Sequence, residues 1–242
     1  MNINQLSKRL TAVAKRIPEQ AVVADIGSDH AYLPCYAVKK GLAKKAIAGE
    51  VADGPFRAAE QQVREAGLEA FIEVRKGNGL EVIDPQEADC ITIAGMGGAL
   101  IVSILQAGHL KLEGVKRLIL QPNIGAEHIR QWLIDHHWEL MEEEIIEEDG
   151  KIYEILMAEK GEPLRPYQKN REQAILLGPF LLKNKNEAFK KKWTREAAQL
   201  EAVLKNLEKA GDRGAAAKKK QQVLYTLQLI KEAISNEKSK WS

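Results

Sequence analysis

No run of about 18 apolar residues, the length a helix needs to cross a bilayer, occurs in the 242-residue chain, so no membrane span is expected. Residues 1–16 mix polar and apolar side chains and carry no secretory h-region. Cysteine is scarce. Cys35 and Cys90 stand far apart without C-x-x-C spacing, which points to reduced thiols in a cytoplasmic protein and to no metal site. The five histidines supply no ligand set either: His136 and His137 are adjacent and cannot share a helix face, and His109 and His128 read as surface residues. No G-x-S-x-G is present to support Ser-His-Asp catalysis.

Glycine is missing where a dinucleotide fold needs it. Residues 21–34, AVVADIGSDHAYLP, read as a buried strand, a tight turn and the start of a helix, with Ser28 and Asp29 as N-cap candidates. Such a turn after a first parallel strand is where open α/β sheets bind nucleotides. A pyrophosphate cradle wants G-x-G-x-x-G, but only Gly27 is present and Asp29 stands at the second glycine position, where its charge would repel a phosphate. A dehydrogenase is therefore disfavoured. Two readings stay open on this turn alone: an ordinary βα turn, or a site for S-adenosylmethionine (SAM), whose sulfonium, amine and ribose diol suit carboxylates.

Charge is unevenly shared. Residues 1–159 hold 17 lysines and arginines against 25 acids, a net of −8, whereas residues 160–242 hold 19 against 9, a net of +10. The change coincides with Gly161-Glu162-Pro163-Leu164-Arg165-Pro166, so a domain over 1–160 and a second over 161–242 are expected.

Along the first domain, a leading helix over 4–17 precedes strands at 21–26, 46–51, 71–75, 89–94 and 115–120. Helices are expected over 31–40, 54–66, 98–107 and 125–136, and strands at about 138–147 and 151–159 are joined by Asp149-Gly150, a hairpin signal. Alternation of this kind predicts a parallel sheet with an antiparallel edge hairpin. The tail repeats apolar residues at Phe189, Trp193, Ala197, Leu200, Leu204 and Leu207, then at Val223, Leu227, Ile230 and Ile234, with a turn at 210–214 and a short helix near 168–177 before them. That spacing predicts an antiparallel, coiled-coil-like helical hairpin. Lys190–Lys192 and Lys218–Lys220 lie on opposite arms, either as a solvated surface or as one basic face for RNA.

The carboxyl ends of the five parallel strands should line one crevice. They carry Asp25, Gly27, Ser28 and Asp29; Glu50; Asn78 and Gly79; Gly95, Met96 and Gly97; and Gln121, Pro122 and Asn123. Glu50 is placed to accept hydrogen bonds from a ribose diol, Asn78 to read an adenine edge, and the Gly95–Gly98 run to let the backbone approach a ligand. His30 reads as a residue packed on its neighbour.

The blocks VADIGSDHAYLP, Gly49-Glu50-Val51 before Gly54-Pro55, KGNGL, IAGMGG and LQPN resemble the bacterial tRNA (adenine(22)-N(1))-methyltransferases across essentially the whole chain. The resemblance implies a class I SAM-methyltransferase (Rossmann-like) fold with a C-terminal coiled-coil hairpin. It implies SAM as cofactor, tRNA as partner and methylation of adenine N1 in the D-arm region. It places Asp25, Gly27, Asp29, Glu50, Asn78, Gly95 and Met96 around the cofactor. Asp29 is the candidate for stabilising charge during transfer and Asn123 for positioning the base. A monomer is favoured. Two rivals stand beside this reading: a binding module on a degenerate SAM fold, and a small-molecule methyltransferase, which would not need a basic hairpin.

Overall fold

The computed structural model describes residues 2–210 and 214–235. Gly211, Asp212 and Arg213, the middle of the expected helix-to-helix turn, lie outside the described residues. The chain divides into two compact units, Met1–Gln168 and Lys169–Ser242. The division falls a few residues beyond the composition shift. Residues after 160 stay with the first unit because Glu139 accepts from the Glu162 N–H at 3.0 Å and pairs with Arg165, and because Tyr167 is buried.

The first unit is one seven-stranded sheet. Its strands are β1 (Ala21–Ile26), β2 (Ala43–Glu50), β3 (Ile72–Lys76), β4 (Cys90–Gly97), β5 (Arg117–Ile124), β6 (Trp138–Glu148) and β7 (Lys151–Lys160), in the order β3-β2-β1-β4-β5-β7-β6. The first five run parallel, and β7 inserts antiparallel between β5 and the edge strand β6. This is the sheet that the strand-helix alternation predicts. Asp149 and Gly150 both take positive φ, 50° and 75°, as a tight hairpin turn requires.

Helices α1 (Lys8–Ala14), α2 (Tyr32–Lys39), α3 (Asp53–Glu65), α4 (Gly98–Ala107) and α5 (Ala126–Asp135) accompany the sheet. One buried cluster joins Val23 of β1 with Val13 of α1 and Leu33 and Ala37 of α2, and another packs Ala46 and Ala48 of β2 and Ile72 of β3 with Cys35 of α2 and Ala59 and Val63 of α3. The leading helix is shorter than the 4–17 expected. The Ser7 side chain accepts from the Leu10 N–H at 3.2 Å and caps the helix there, and residues 2–5 close their own bridge.

The helix over 31–40 also starts differently. It begins at Tyr32, and neither Ser28 nor Asp29 caps it. Asp29, His30 and Ala31 take left-handed φ values of 41°, 66° and 52°, a run that non-glycine residues adopt only when tertiary contacts hold it. Those contacts belong to the site described below.

The second unit consists of α6 (Arg171–Leu177), α7 (Glu187–Ala210) and α8 (Ala215–Ser235). Along the expected seam, Phe189, Trp193, Ala197, Val223, Leu227 and Ile230 are buried, and Leu200, Leu204, Leu207 and Ile234 are half-buried. Lys231 pairs with Glu201 across the two arms at 2.7 Å. Lys190–Lys192 lie in the first turns of α7 and Lys218–Lys220 in the first turns of α8. Antiparallel arms therefore carry them to opposite ends of the hairpin, about 25 Å apart at ~1.5 Å per residue. The two clusters form a track and not a single compact patch.

Candidate functional site

Strand order reverses at β1, which has β2 on one side and β4 on the other, so a crevice opens at their carboxyl ends. Asp25 stands opposite Thr92 in the β1–β4 register. Its carboxylate is buried and accepts from Thr92 Oγ1 at 2.6 Å and from Ser28 Oγ at 2.7 Å. Burial pushes its pKa up to about 6, against the lowering effect of those two hydroxyls. Asp25 and Ser28 thus brace the floor of the turn with their side chains on each other.

The turn itself folds around Glu50. Gly27 and Ser28 donate their backbone N–H groups to Gly49 O at 2.9 and 3.2 Å, and the Asp29 N–H donates to Glu50 Oε1. Glu50 is buried at the end of β2, and its second oxygen has no protein partner among the described residues. Wrapping the chain over this carboxylate produces the left-handed run at 29–31. It leaves the Asp29 side chain about three-quarters exposed, with His30 Nε2 3.6 Å from its Oδ1. The His30 ring stacks on Tyr32 at 5.5 Å between centroids.

The β4 and β5 exits form the other wall. Gly27 has φ 71°, and a Cβ built on it would stand 2.2 Å from Met96 Cε, so two predicted site residues are in contact. Asn123 Nδ2 donates to Gly95 O at 2.7 Å, and the Gly95 N–H donates to Gln121 Oε1 at 3.0 Å. The Asn123 donor is thereby engaged, and its acceptor Oδ1 has no protein partner among the described residues. Gly97 pairs with Ile124 in the register, and a Cβ on Gly98 would meet Gly125 O at 1.9 Å. That close crossing fixes the start of α4 against the end of β5.

Asn78 and Gly79 sit apart from these contacts, after β3. Gly79 has φ 58° and packs against Ile104, and the Asn78 N–H donates to Glu81 Oε2 at 3.0 Å. Together with Leu80, Leu100, Ser103 and Ile104 they line a cavity of about 270 Å³.

Two residues at the site, Thr92 and Arg9, escape sequence reasoning. Thr92 lies inside a strand, and only its register with Asp25 reveals its role. Gln121, expected at the β5 exit, is fully buried, and its amide bridges Gly95 to Pro122 O. Arg9 of α1 donates from Nη1 to Gln121 Oε1 at 2.5 Å, and its guanidinium carbon lies 5.4 Å from the Tyr153 ring centroid. A charged residue on the helix before β1 was the only signal available for it.

The arrangement suits a ligand with cationic and hydroxyl groups better than a polyphosphate. Two carboxylates face the turn, an unpartnered carboxylate oxygen sits at the end of β2, and no glycine follows Gly27 within the turn to open it to a pyrophosphate. Among the described residues no cluster of three or more His, Cys, Asp or Glu side chains could hold a metal ion, and no helix is long and apolar enough to cross a membrane.

Comparison with known proteins agrees with this chemistry. The family model described as tRNA (adenine(22)-N(1))-methyltransferase matches residues 23–236. The tRNA (adenine(22)-N(1))-methyltransferase of Bacillus subtilis (strain 168) is 52% identical, over 98% of this chain and 100% of its own length. The crystal structure of the B. subtilis M1A22 tRNA methyltransferase TrmK superposes with a TM-score of 0.94 over 96% of this chain and 100% of that one, at 52% identity. A Streptococcus pneumoniae protein in complex with S-adenosyl-L-methionine is 41% identical, with a TM-score of 0.84 over 95% of this chain and 100% of that one. The structure of M. capricolum TrmK with S-adenosyl-homocysteine, 29% identical, gives a TM-score of 0.80 over 95% of this chain and 97% of that one. With the family model spanning most of its length and relatives of this similarity covering nearly all of it, the chain belongs to the tRNA (adenine(22)-N(1))-methyltransferase family.

Proposed function

We propose that this protein is a SAM-dependent methyltransferase that methylates N1 of adenine 22 in the D-arm region of bacterial tRNA, in the cytoplasm. The observation that carries the reading is the turn after β1, closed over Glu50 by the Asp29 N–H and joined to the β4 exit by the Gly27–Met96 contact.

When bound, SAM supplies an electrophilic methyl that adenine N1 takes up while the C–S electrons stay on sulfur and the positive charge passes to the ring. The adenine N1 lone pair is free at neutral pH, so the protein needs no general base. Its residues bind, orient and balance charge. Glu50 offers its remaining oxygen to the ribose diol. Asn78 and Gly79 border a cavity with room for the adenine of the cofactor. Asn123, with its amide donor held by Gly95 O, presents Oδ1 to the exocyclic amine of the target base. Asp29 at the mouth of the crevice offsets the positive charge that develops on that base, and its effect grows as the entering base excludes water.

N1 lies on the Watson–Crick edge, so a paired or stacked adenine has to leave its helix, at a cost of a few kcal/mol. In this reading the basic hairpin supplies that energy by engaging phosphates, since the net charge of the first 159 residues is −8. Transfer of labelled methyl from SAM to a tRNA transcript with adenine at position 22, and to the same transcript with guanine there, tests the reading. Label is expected in the first only; equal labelling of both would overturn it.

A further inference from the structure

The second unit buries one side of α8 and leaves another bare. Val223, Leu227 and Ile230 form the seam, and Leu229 is buried as well, its carbonyl accepting from Gln173 Nε2 of α6 at 2.9 Å. Leu224 and Tyr225 belong to neither contact and are 45% and 48% exposed. At 3.6 residues per turn Tyr225 stands on the side of α8 away from the seam. Its ring is nevertheless anchored, because its hydroxyl donates to the Glu172 carboxylate of α6. Leu224, Tyr225 and Gln228 of α8 line an open groove of about 1050 Å³ with Thr194 and Ala197 of α7.

The neighbours of Tyr225 select the occupant. Residues three, four and seven positions apart share a helix face. Gln221 and Gln222 precede Tyr225 by four and three residues, and Gln228 follows it by three. Lys218 stands seven before it, about 10 Å along the axis at ~1.5 Å per residue, and Lys220 stands four before Leu224. This face thus carries cations, amides and an anchored aromatic ring. Cations hold phosphates, amides match the donor and acceptor edges of bases, and a ring stacks on a base. The apolar part is two side chains wide, smaller than a protein-docking patch. The net charge of +10 over residues 160–242 repels a second copy and attracts a polyanion. Glu232, seven residues beyond Tyr225 and on the side away from Lys218, accepts from Gln228 Nε2 at 2.8 Å, so phosphates are drawn to the Lys218 end.

We infer that Tyr225 stacks on an unpaired nucleobase of tRNA, with Lys218 and Lys220 on the adjoining phosphates. This rests on tRNA as the partner of the hairpin. It adds to the ionic contacts a non-ionic one that selects single-stranded nucleotides, because a base stacked in a duplex has both faces covered.

Binding of a tRNA transcript by the full chain at several salt concentrations, beside a blunt RNA duplex without unpaired bases, tests the inference. Tyr225→Ala is expected to weaken the tRNA complex about fivefold to a hundredfold, the worth of one base–aromatic stack. The log–log salt slope should stay the same, since no phosphate contact is lost. The duplex should bind the variant within about twofold of wild type, and Tyr225→Phe should keep most of the tRNA affinity. Unchanged tRNA affinity in Tyr225→Ala overturns the inference. An equal loss for the duplex also overturns it and marks a backbone contact. A loss as large in Tyr225→Phe overturns it too and makes the Glu172 bond a brace between α6 and α8. A lower molecular mass of Tyr225→Ala in solution, with tRNA affinity unaltered, would overturn it and assign this face to a contact between copies. Failure of the wild-type chain to bind tRNA at all would instead overturn the reading of the hairpin as the RNA-binding arm.

Discussion

The methyl of Met96 occupies the place where a Cβ on Gly27 would stand, 2.2 Å away. Two sequence blocks, one after β1 and one at the end of β4, thereby meet side chain against backbone. Gly27→Ala would add a left-handed alanine at φ 71° and displace the flexible end of Met96. The strain is of the order of 1–2 kcal/mol, so a fall of several degrees in Tm is expected, with a larger proportional loss of SAM affinity because Met96 is pushed into the crevice. Thermal melts with and without SAM check this. An alanine variant with wild-type affinity would mean that the contact does not shape the site.

Glu50→Ala is expected to weaken SAM binding by about tenfold or more, since it removes a charged acceptor and also frees the Asp29 N–H. Glu50→Gln keeps an acceptor for that N–H and should hold the turn while still losing part of the affinity. Calorimetry separates the two variants; if both bind as wild type does, Glu50 is not in the cofactor site.

Asp29→Asn should slow methyl transfer more than it weakens either ligand. Removing one preorganised electrostatic group can raise a barrier by ~2.7–4 kcal/mol, and the high exposure of Asp29 before substrate enters favours the lower end. Single-turnover rates at saturating tRNA and SAM decide it, and a wild-type rate would remove Asp29 from catalysis.

Asp25 gives a pH signature. Its pKa in the folded protein is raised from 3.8 to about 6, so between those values the folded state binds more protons than the unfolded state. Its contribution to stability therefore falls as pH rises from about 4 to 6 and is level above that, a change of roughly 3 kcal/mol at most. Asp25→Asn should flatten this part of the profile. Urea unfolding midpoints at pH 4.5 and 7 compare the two proteins, and parallel profiles would show that Asp25 titrates as an ordinary surface acid.

The sheet was legible in the sequence because each strand is an apolar run bounded by turn residues, and because Asp149-Gly150 marks the hairpin. The candidate residues at the strand exits were legible for the same reason, since parallel topology gathers those exits in one place. The start of α2 was not. Ser28 and Asp29 look like caps locally, but the Glu50 carboxylate, from the next strand, captures the Asp29 N–H and bends the chain into left-handed conformations that no local propensity favours. Thr92 and Arg9 were hidden too, because each acts through a partner remote in sequence, Asp25 and Gln121.

The separation of the two lysine clusters along the hairpin bears on how tRNA would be held. Reversing charge at Lys218, Lys219 and Lys220 in the full chain should weaken tRNA binding and reduce the log–log salt slope by ~0.7–0.9 for each phosphate no longer neutralised. Reversal at Lys190, Lys191 and Lys192 should do the same independently, because the clusters lie about 25 Å apart at ~1.5 Å per residue. Filter binding at several salt concentrations measures both. Unaltered affinity and slope in each variant would leave the hairpin a role other than RNA binding.

The most direct measurement is of the product itself. Total bacterial tRNA lacking the modification is incubated with the protein and labelled SAM, and the labelled position is mapped by digestion and mass spectrometry, with reverse transcription as a second readout. The predicted result is a single methyl on the adenine at position 22, with primer extension halted there because N1 methylation blocks the pairing edge. A methyl at another position, a methyl on the exocyclic amine that lets extension pass, or no transfer to tRNA at all would contradict the account.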